Sequence, residues 1–290
     1  MTSSWMLVAG ALFAAAGMMV KIASAHFNAA ELAFYRSAIG LVAVFGFVAW
    51  KREAVGSAHL RTHLVRSILG VASLLAYFYA MTQISLATAI TLNYTSPLFL
   101  AALTTLVLRE RFSPWLVFAI AVGFLGVAML LQPTLAEGKL HAALLGLASG
   151  LFAALAYLNV RTLGRLGEPA WRTVFWFSLM GTLICAAWTI AFARFNPVGM
   201  ADALLLAGIG IAGAVAQLAM TRAYQLGNTL VVGAFAYSTI VFAAIASLAL
   251  FDEPISPLAW AGMAVIVASG LIAMRFEKKE LVREAGFEGD

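Results

Sequence analysis

Charge, cysteine and proline are all scarce in this sequence of 290 residues. Charged residues make up 11% of the chain, hydrophobic residues make up 63%, and the mean hydropathy is +0.96. A water-soluble protein of this length cannot hide so large an apolar fraction, so the composition predicts an integral membrane protein. The single cysteine, Cys185, excludes an intrachain disulfide. Paired cysteines, His-x-x-His and Gly-x-Ser-x-Gly are also missing, so we expect no metal, no cofactor and no enzyme activity.

Apolar runs of about 18 to 24 residues account for most of the chain, and each is long enough to cross a membrane as a helix. We therefore predict an all-α integral membrane protein with ten transmembrane helices joined by short connections. The predicted spans are 5–22, 32–50, 67–84, 86–108, 114–132, 141–160, 170–193, 202–221, 229–251 and 257–274.

The two halves of the chain share a motif at a constant distance. Glu110-x-x-Ser113-Pro114 and Glu253-x-x-Ser256-Pro257 each lie between two apolar runs. Every residue of the second motif stands the same number of positions after its counterpart in the first, and this distance is the repeat offset. This repetition predicts a first five-helix repeat over 1–134 and a second over 135–274. A charged tail, 275–290, follows.

The distribution of lysine and arginine predicts the orientation. One set of alternate connections holds 14 of the 18 basic residues, so the positive-inside rule places both termini in the cytoplasm. Because each repeat has an odd number of spans, the second repeat is inverted relative to the first. Inverted repeats give two related packings of similar energy, one open to each side of the membrane, which is a physical basis for alternating access. This topology also explains the positive charge without nucleic-acid binding.

An early acidic-x-x-aromatic-Arg signature, Glu31 to Arg36, and the Glu-x-x-Ser motifs resemble the EamA family of the drug/metabolite transporter superfamily. The resemblance covers nearly all of residues 5–274. Within the family, the chain is most similar to bacterial amino-acid and metabolite exporters, including the YddG-type exporters of aromatic amino acids. The resemblance implies a basket of helices around a central cavity, in a bacterial inner membrane.

Polar and aromatic residues inside the predicted spans are the candidate substrate ligands, because such residues are costly in lipid. The fourth span carries Asn93 and Tyr94, followed by Pro97, which we predict to be a hinge because proline removes a backbone donor. The repeat offset places Tyr237 opposite Tyr94. The remaining candidates are Tyr77, Tyr79, Asn159, Trp176, Gln217 and Lys21.

Each candidate also has a purely structural interpretation, as a packing aromatic, a hydrogen-bonded helix contact or, for Lys21, an ion pair with Glu31. The acidic residues fall in connections, at span ends or in the tail, and the four histidines all fall in connections. We therefore expect facilitated export of a small molecule, with proton coupling as the alternative. Since Lys21 is the one cation expected deep in the protein, an uncharged or zwitterionic substrate such as an amino acid is favoured. An integral membrane enzyme is the alternative from another class, and we expect a monomer or a weak dimer.

Overall fold

The computed structural model describes residues 3–108, 114–136, 138–227 and 229–285, and helices are the regular elements of these ranges. The first copy of the repeated motif, Glu110 to Ser113, lies outside the described residues. The helices are α1 (Trp5–Ala23), α2 (Ala29–Lys51), α3 (Leu60–Gln83), α4 (Leu86–Asn93), α5 (Ser96–Leu108), α6 (Pro114–Ala136), α7 (Leu140–Arg165), α8 (Ala170–Phe192), α9 (Met200–Leu226), α10 (Thr229–Ala236), α11 (Ser238–Leu250) and α12 (Pro257–Ala285).

Eight helical stretches of the described residues are long and apolar enough to cross a membrane, and α6 and α12 hold two shorter apolar stretches. Large apolar side chains also cover the outside of the bundle, for example Val42, Ile190 and Phe192, which are 73–75% exposed. Such a surface requires lipid rather than water around it. The prediction of an all-helical membrane protein is confirmed, whereas the count of ten spans stays a prediction.

The fourth and ninth predicted spans are each broken into two helices. The first break falls at Tyr94, the residue that follows α4, and the second at Tyr237, the residue before α11. Pro97 in the first turn of α5 has no N–H to donate to the carbonyl of Asn93, so the helical ladder cannot continue through this point. Thr95 Oγ1 instead donates to the carbonyl of Leu92 over 2.7 Å.

Helices from the two halves of the chain pack against each other in pairs. α1 packs on α9, α3 on α7, α2 on α8, and α6 on α12. The halves therefore interleave, and the interior of the bundle is built from both.

α3 begins seven residues before the predicted start of the third span. Its first two turns contain His63 and Arg66, which are 0% and 2% exposed. The expectation that all histidines lie in connections is therefore wrong for His63. Its Nε2 lies 3.5 Å from a carboxylate oxygen of Glu168, a contact longer than an ordinary hydrogen bond.

Gly150 allows α7 to approach the broken span closely. A Cβ at this position would lie 2.5 Å from Thr95 Oγ1, 2.9 Å from the carbonyl oxygen of Leu92 and 3.1 Å from that of Asn93. Only glycine leaves room for these groups. The contact therefore fixes the end of α4 against the middle of α7.

Candidate functional site

A cavity lies among α1, α2, α3, α4, α7, α8 and α9, beside the break that separates α4 from α5. Its wall comes from both halves of the chain and combines aromatic rings with polar groups. The polar and tyrosine side chains that line it are Arg36, Arg66, Ser73, Tyr77, Asn93, Tyr94, Tyr157 and Gln217. Four predicted ligands, Tyr77, Asn93, Tyr94 and Gln217, are thus brought together.

Asn93 is held in the wall by hydrogen bonds to α7. Its Nδ2 donates to Ser149 Oγ over 2.9 Å, and Ser149 Oγ donates to the carbonyl of Gly146 over 2.6 Å. Ser73 on α3 donates to the carbonyl of Ser149 over 2.8 Å. This chain of hydrogen bonds fixes the position of the amide at the cavity surface.

Tyrosine rings form part of the aromatic wall of the cavity, together with Phe13, Phe78 and Phe177. Tyr157 on α7 stacks on Tyr224 of α9 with 4.6 Å between ring centroids and 20° between planes. Tyr77 on α3 and Tyr94 at the end of α4 lie in the same lining. Rings in this arrangement present apolar surface together with hydroxyl groups that can hydrogen-bond a ligand.

Arg36 and Arg66 are the charged cavity residues that sequence reasoning missed, and Ser73 and Tyr157 are further lining residues that it did not predict. Both arginines are buried, at 7% and 2% exposed, and both guanidiniums lie over the ring of Phe177. Arg36 Nη2 donates to Gln217 Oε1 over 3.3 Å. The expectation that Lys21 is the one deep cation is therefore wrong, and with it the argument for an uncharged substrate.

A signal for these arginines is present in the sequence as rows of small residues at helical spacing. Arg36 follows Ala33 by three positions and precedes Gly40 by four, and Arg66 precedes Gly70 by four. Small residues mark the face of a membrane helix that packs on its neighbours. An arginine on that face points inward.

Three predicted ligands have other contacts. The ring of Tyr79 lies 6.0 Å from that of His141, and Asn159 Nδ2 donates to the carbonyl of Leu155 within its own helix. Trp176 Nε1 donates to the carbonyl of Val55 over 3.2 Å. The cavity lining includes none of these three.

Tyr237 and Lys21 also lie outside the cavity lining. Tyr237 is buried at the break before α11, and its hydroxyl has no hydrogen-bond partner among the described residues. Lys21 Nζ lies 3.0 Å from Glu253 Oε1 and donates to the carbonyl of Ile84 over 2.7 Å. Its ion pair is thus with Glu253 rather than with Glu31, which forms a capping box with Asn28.

The face of the bundle where α1 begins is held by a cluster around Glu168. Arg172 Nη1 lies 2.7 Å from the carboxylate, and the hydroxyl of Ser57 also donates to it. Burial by itself raises the pKa of the Glu168 carboxyl, but the hydrogen bonds from Ser57 and Arg172 and the nearby positive charge outweigh it. The pKa is therefore lowered from its ordinary value. The carboxylate remains charged and ties the connection before α3 to α8.

A second concavity, of about 800 Å³, lies between α2 and α9. Its walls are mostly apolar and include Phe47, Ile211 and Val215, which are exposed on the outside of the bundle. Acyl chains fit such a surface. The central cavity, with its converging polar groups, is the better candidate for a substrate site.

A multi-pass helical protein with a polar cavity enclosed by helices has the architecture of a membrane transporter. The chain belongs to the EamA-like transporter family, which matches residues 1–132 and 140–275. The resemblance to that family is thereby confirmed.

Relatives that are named as transporters match this chain over nearly the full length of both sequences. The pseudopaline exporter CntI of Pseudomonas aeruginosa is 30% identical over 94% of this chain and 95% of the relative. The riboflavin transporter of Vibrio cholerae is 27% identical over 97% of this chain and 95% of the relative. A solved crystal structure that is 18% identical superimposes with a TM-score of 0.69 and covers 96% of this chain and 99% of its own, which shows the same fold.

Proposed function

We propose that this protein exports amino acids, or metabolites derived from them, from the cytoplasm by alternating access. The observation that carries the proposal is a cavity lined by Asn93 and Tyr94 from one half of the chain and Tyr157 and Gln217 from the other. Binding between two halves allows a rocking motion to expose the ligand to either side.

The proposal includes ten spans arranged as two inverted repeats, 1–134 and 135–274, with both termini in the cytoplasm of a bacterium. Support comes from the two ranges of the family match, and from helix breaks at Tyr94 and Tyr237, the pair that the repeat offset relates. The cross-packing of α1 on α9 and α3 on α7 is the exchange that a twofold relation between repeats would produce.

The amide, guanidinium and tyrosine groups that line one cavity support an amino acid or a derivative of one as the substrate. The name of the Pseudomonas relative, an exporter of pseudopaline, supports outward movement of a metabolite. We infer facilitated transport, since no Asp or Glu stands among the described residues that line the cavity. Pro97 is the proposed hinge, next to the first helix break.

Counterflow in proteoliposomes tests whether the protein is a carrier of amino acids. Vesicles preloaded with unlabelled phenylalanine, glutamate or glutamine should accumulate the matching labelled compound transiently, and Asn93→Ala or Tyr94→Ala should slow this strongly. Absence of counterflow for every amino acid and amino-acid derivative in the panel would contradict the proposal. Uphill uptake driven by an imposed pH gradient would replace facilitated transport with proton coupling.

A further inference from the structure

Arg36 and Arg66 both lie over one aromatic ring inside the cavity. The Cζ atom of Arg36 lies 5.5 Å from the centroid of Phe177, and that of Arg66 lies 4.2 Å from it. The two positive charges are therefore close together, at the meeting point of α2, α3 and α8.

Neither guanidinium has an anionic partner in the part of the chain that the structure describes. Arg66 Nε and Nη1 are buried without a hydrogen-bond acceptor, and Arg36 has the neutral amide of Gln217. Burying an ion is costly unless an opposite charge and hydrogen bonds compensate it. A cation over an aromatic ring recovers only part of that cost, so Phe177 does not balance two buried cations.

The backbone is shaped to keep both side chains in this place. A Cβ added to Gly70 would lie 3.0 Å from Arg66 Nη1, and one added to Gly213 would lie 2.9 Å from Arg36 Nε. Each guanidinium thus rests against a glycine of a transmembrane helix. The two guanidiniums thus occupy space that the glycines leave open, and no acidic side chain is among the described residues of the lining.

We propose that Arg36 and Arg66 form an anion site that takes the two carboxylates of a dicarboxylic, amino-acid-derived substrate. The planar guanidinium presents a fork of N–H donors that matches a carboxylate, so each arginine takes one carboxylate. Tyr77 and Tyr157 line the remainder of the cavity and accommodate an apolar or aromatic body. This inference rests on the proposed carrier function, whose site it specifies.

Ligand-dependent thermal stability of the purified full-length protein tests the site. Cys185 is buried, so a thiol-reactive dye reports unfolding as the cysteine becomes accessible. The probes are N-succinyl-L-phenylalanine and L-glutamate, with two carboxylates each, and L-phenylalanine and L-glutamine, with one. We expect the first two to raise the melting temperature and the second two to have a smaller effect.

Arg36→Gln and Arg66→Gln should weaken binding of N-succinyl-L-phenylalanine by about tenfold or more, the effect of losing one charge-assisted hydrogen-bonded contact. Arg61→Gln, which removes an exposed arginine from the same helix as Arg66, should leave it unchanged. Without ligand, Arg66→Gln should melt no lower than the parent, because it removes an uncompensated buried charge.

Equal stabilisation by the one-carboxylate and two-carboxylate probes, or no stabilisation by any, overturns the anion site. So does unchanged binding in both arginine variants. Binding that depends on Arg36 and Arg66 without any counterflow would instead overturn the carrier and leave the anion site standing.

Discussion

Lys21 and Glu253 form an ion pair, with 3.0 Å between Nζ and Oε1, that joins α1 to the connection between α11 and α12. The same carboxylate accepts a hydrogen bond from the N–H of Leu86 over 2.9 Å, at the first residue of α4. Ser247 on α11 donates to Glu253 over 3.0 Å and accepts from the N–H of Ala87. One carboxylate therefore ties two helices of the first half to the second half at the face opposite the N-terminus.

Loss of this ion pair should open that face of the cavity. Glu253→Gln and Lys21→Met should raise the rate of maleimide labelling at Ala153→Cys in a Cys185→Ala background by up to about fivefold, since a partly exposed ion pair contributes up to about 1 kcal/mol. The reagent is added from the side of Lys21. Arg194→Met removes an exposed cation near the end of α8 and should not change the rate. Unchanged labelling in Glu253→Gln would show that the contact does not hold this face closed.

Ser149 should affect the transport rate because it positions the side chain of Asn93. Ser149→Ala removes the acceptor of the Asn93 amide, and a buried hydrogen bond contributes about 1 kcal/mol, so we expect an about fivefold loss of counterflow. Asn93→Ala should reduce counterflow more than Ser149→Ala does. The double variant should show the same counterflow as Asn93→Ala alone, because the two groups act together. Ser178→Ala, which removes a buried hydroxyl outside the cavity lining, serves as the control. Additive losses of counterflow in the double variant would show that the two residues act independently, which would contradict this prediction.

Gly150→Ala should destabilise the fold, because the new Cβ would press on Thr95 and on the carbonyl of Leu92. Overpacking of this kind costs about 1 to 3 kcal/mol. The measurement is the midpoint of thermal unfolding in detergent. Gly46→Ala is the matched control, since its Cβ would meet nothing within 4 Å, and it should unfold at the same or a higher temperature. Equal midpoints for the two variants would contradict the close approach of α7 to the helix break.

Acid should weaken the Glu168 cluster. The pKa of this carboxyl is lower in the folded protein than in the unfolded chain, where the ordinary value is 4.5. The stabilisation is therefore complete above the unfolded pKa and is lost as pH falls through the folded pKa. Thermal unfolding between about pH 6 and pH 3 should show a steeper loss of stability for the parent than for Glu168→Gln, whose side chain does not titrate. Parallel curves would indicate that the carboxylate contributes nothing to the acid response.

Composition and periodicity sufficed for the class of fold, because a lipid environment demands long apolar segments whose backbone groups are all bonded within the segment. The missing N–H of Pro97, a local property, points to a hinge in the fourth span, and the helix break lies just before this residue. The repeat offset related Tyr94 to Tyr237, and both residues stand at helix breaks. These features are properties of the chain itself, either local or repeated along it, and do not depend on how the helices pack.

What the tertiary structure alone decided is which of the charged side chains enter the bundle and what they meet there. The charge count places Arg36 and Arg66 in the connections between spans, yet helix packing turns both toward the same ring of Phe177. Lys21 forms its ion pair with Glu253, from the opposite half of the chain, rather than with Glu31, which is nearer in sequence. A helix fixes only the relative directions of its own side chains, and the packing of its neighbours determines which direction is inward.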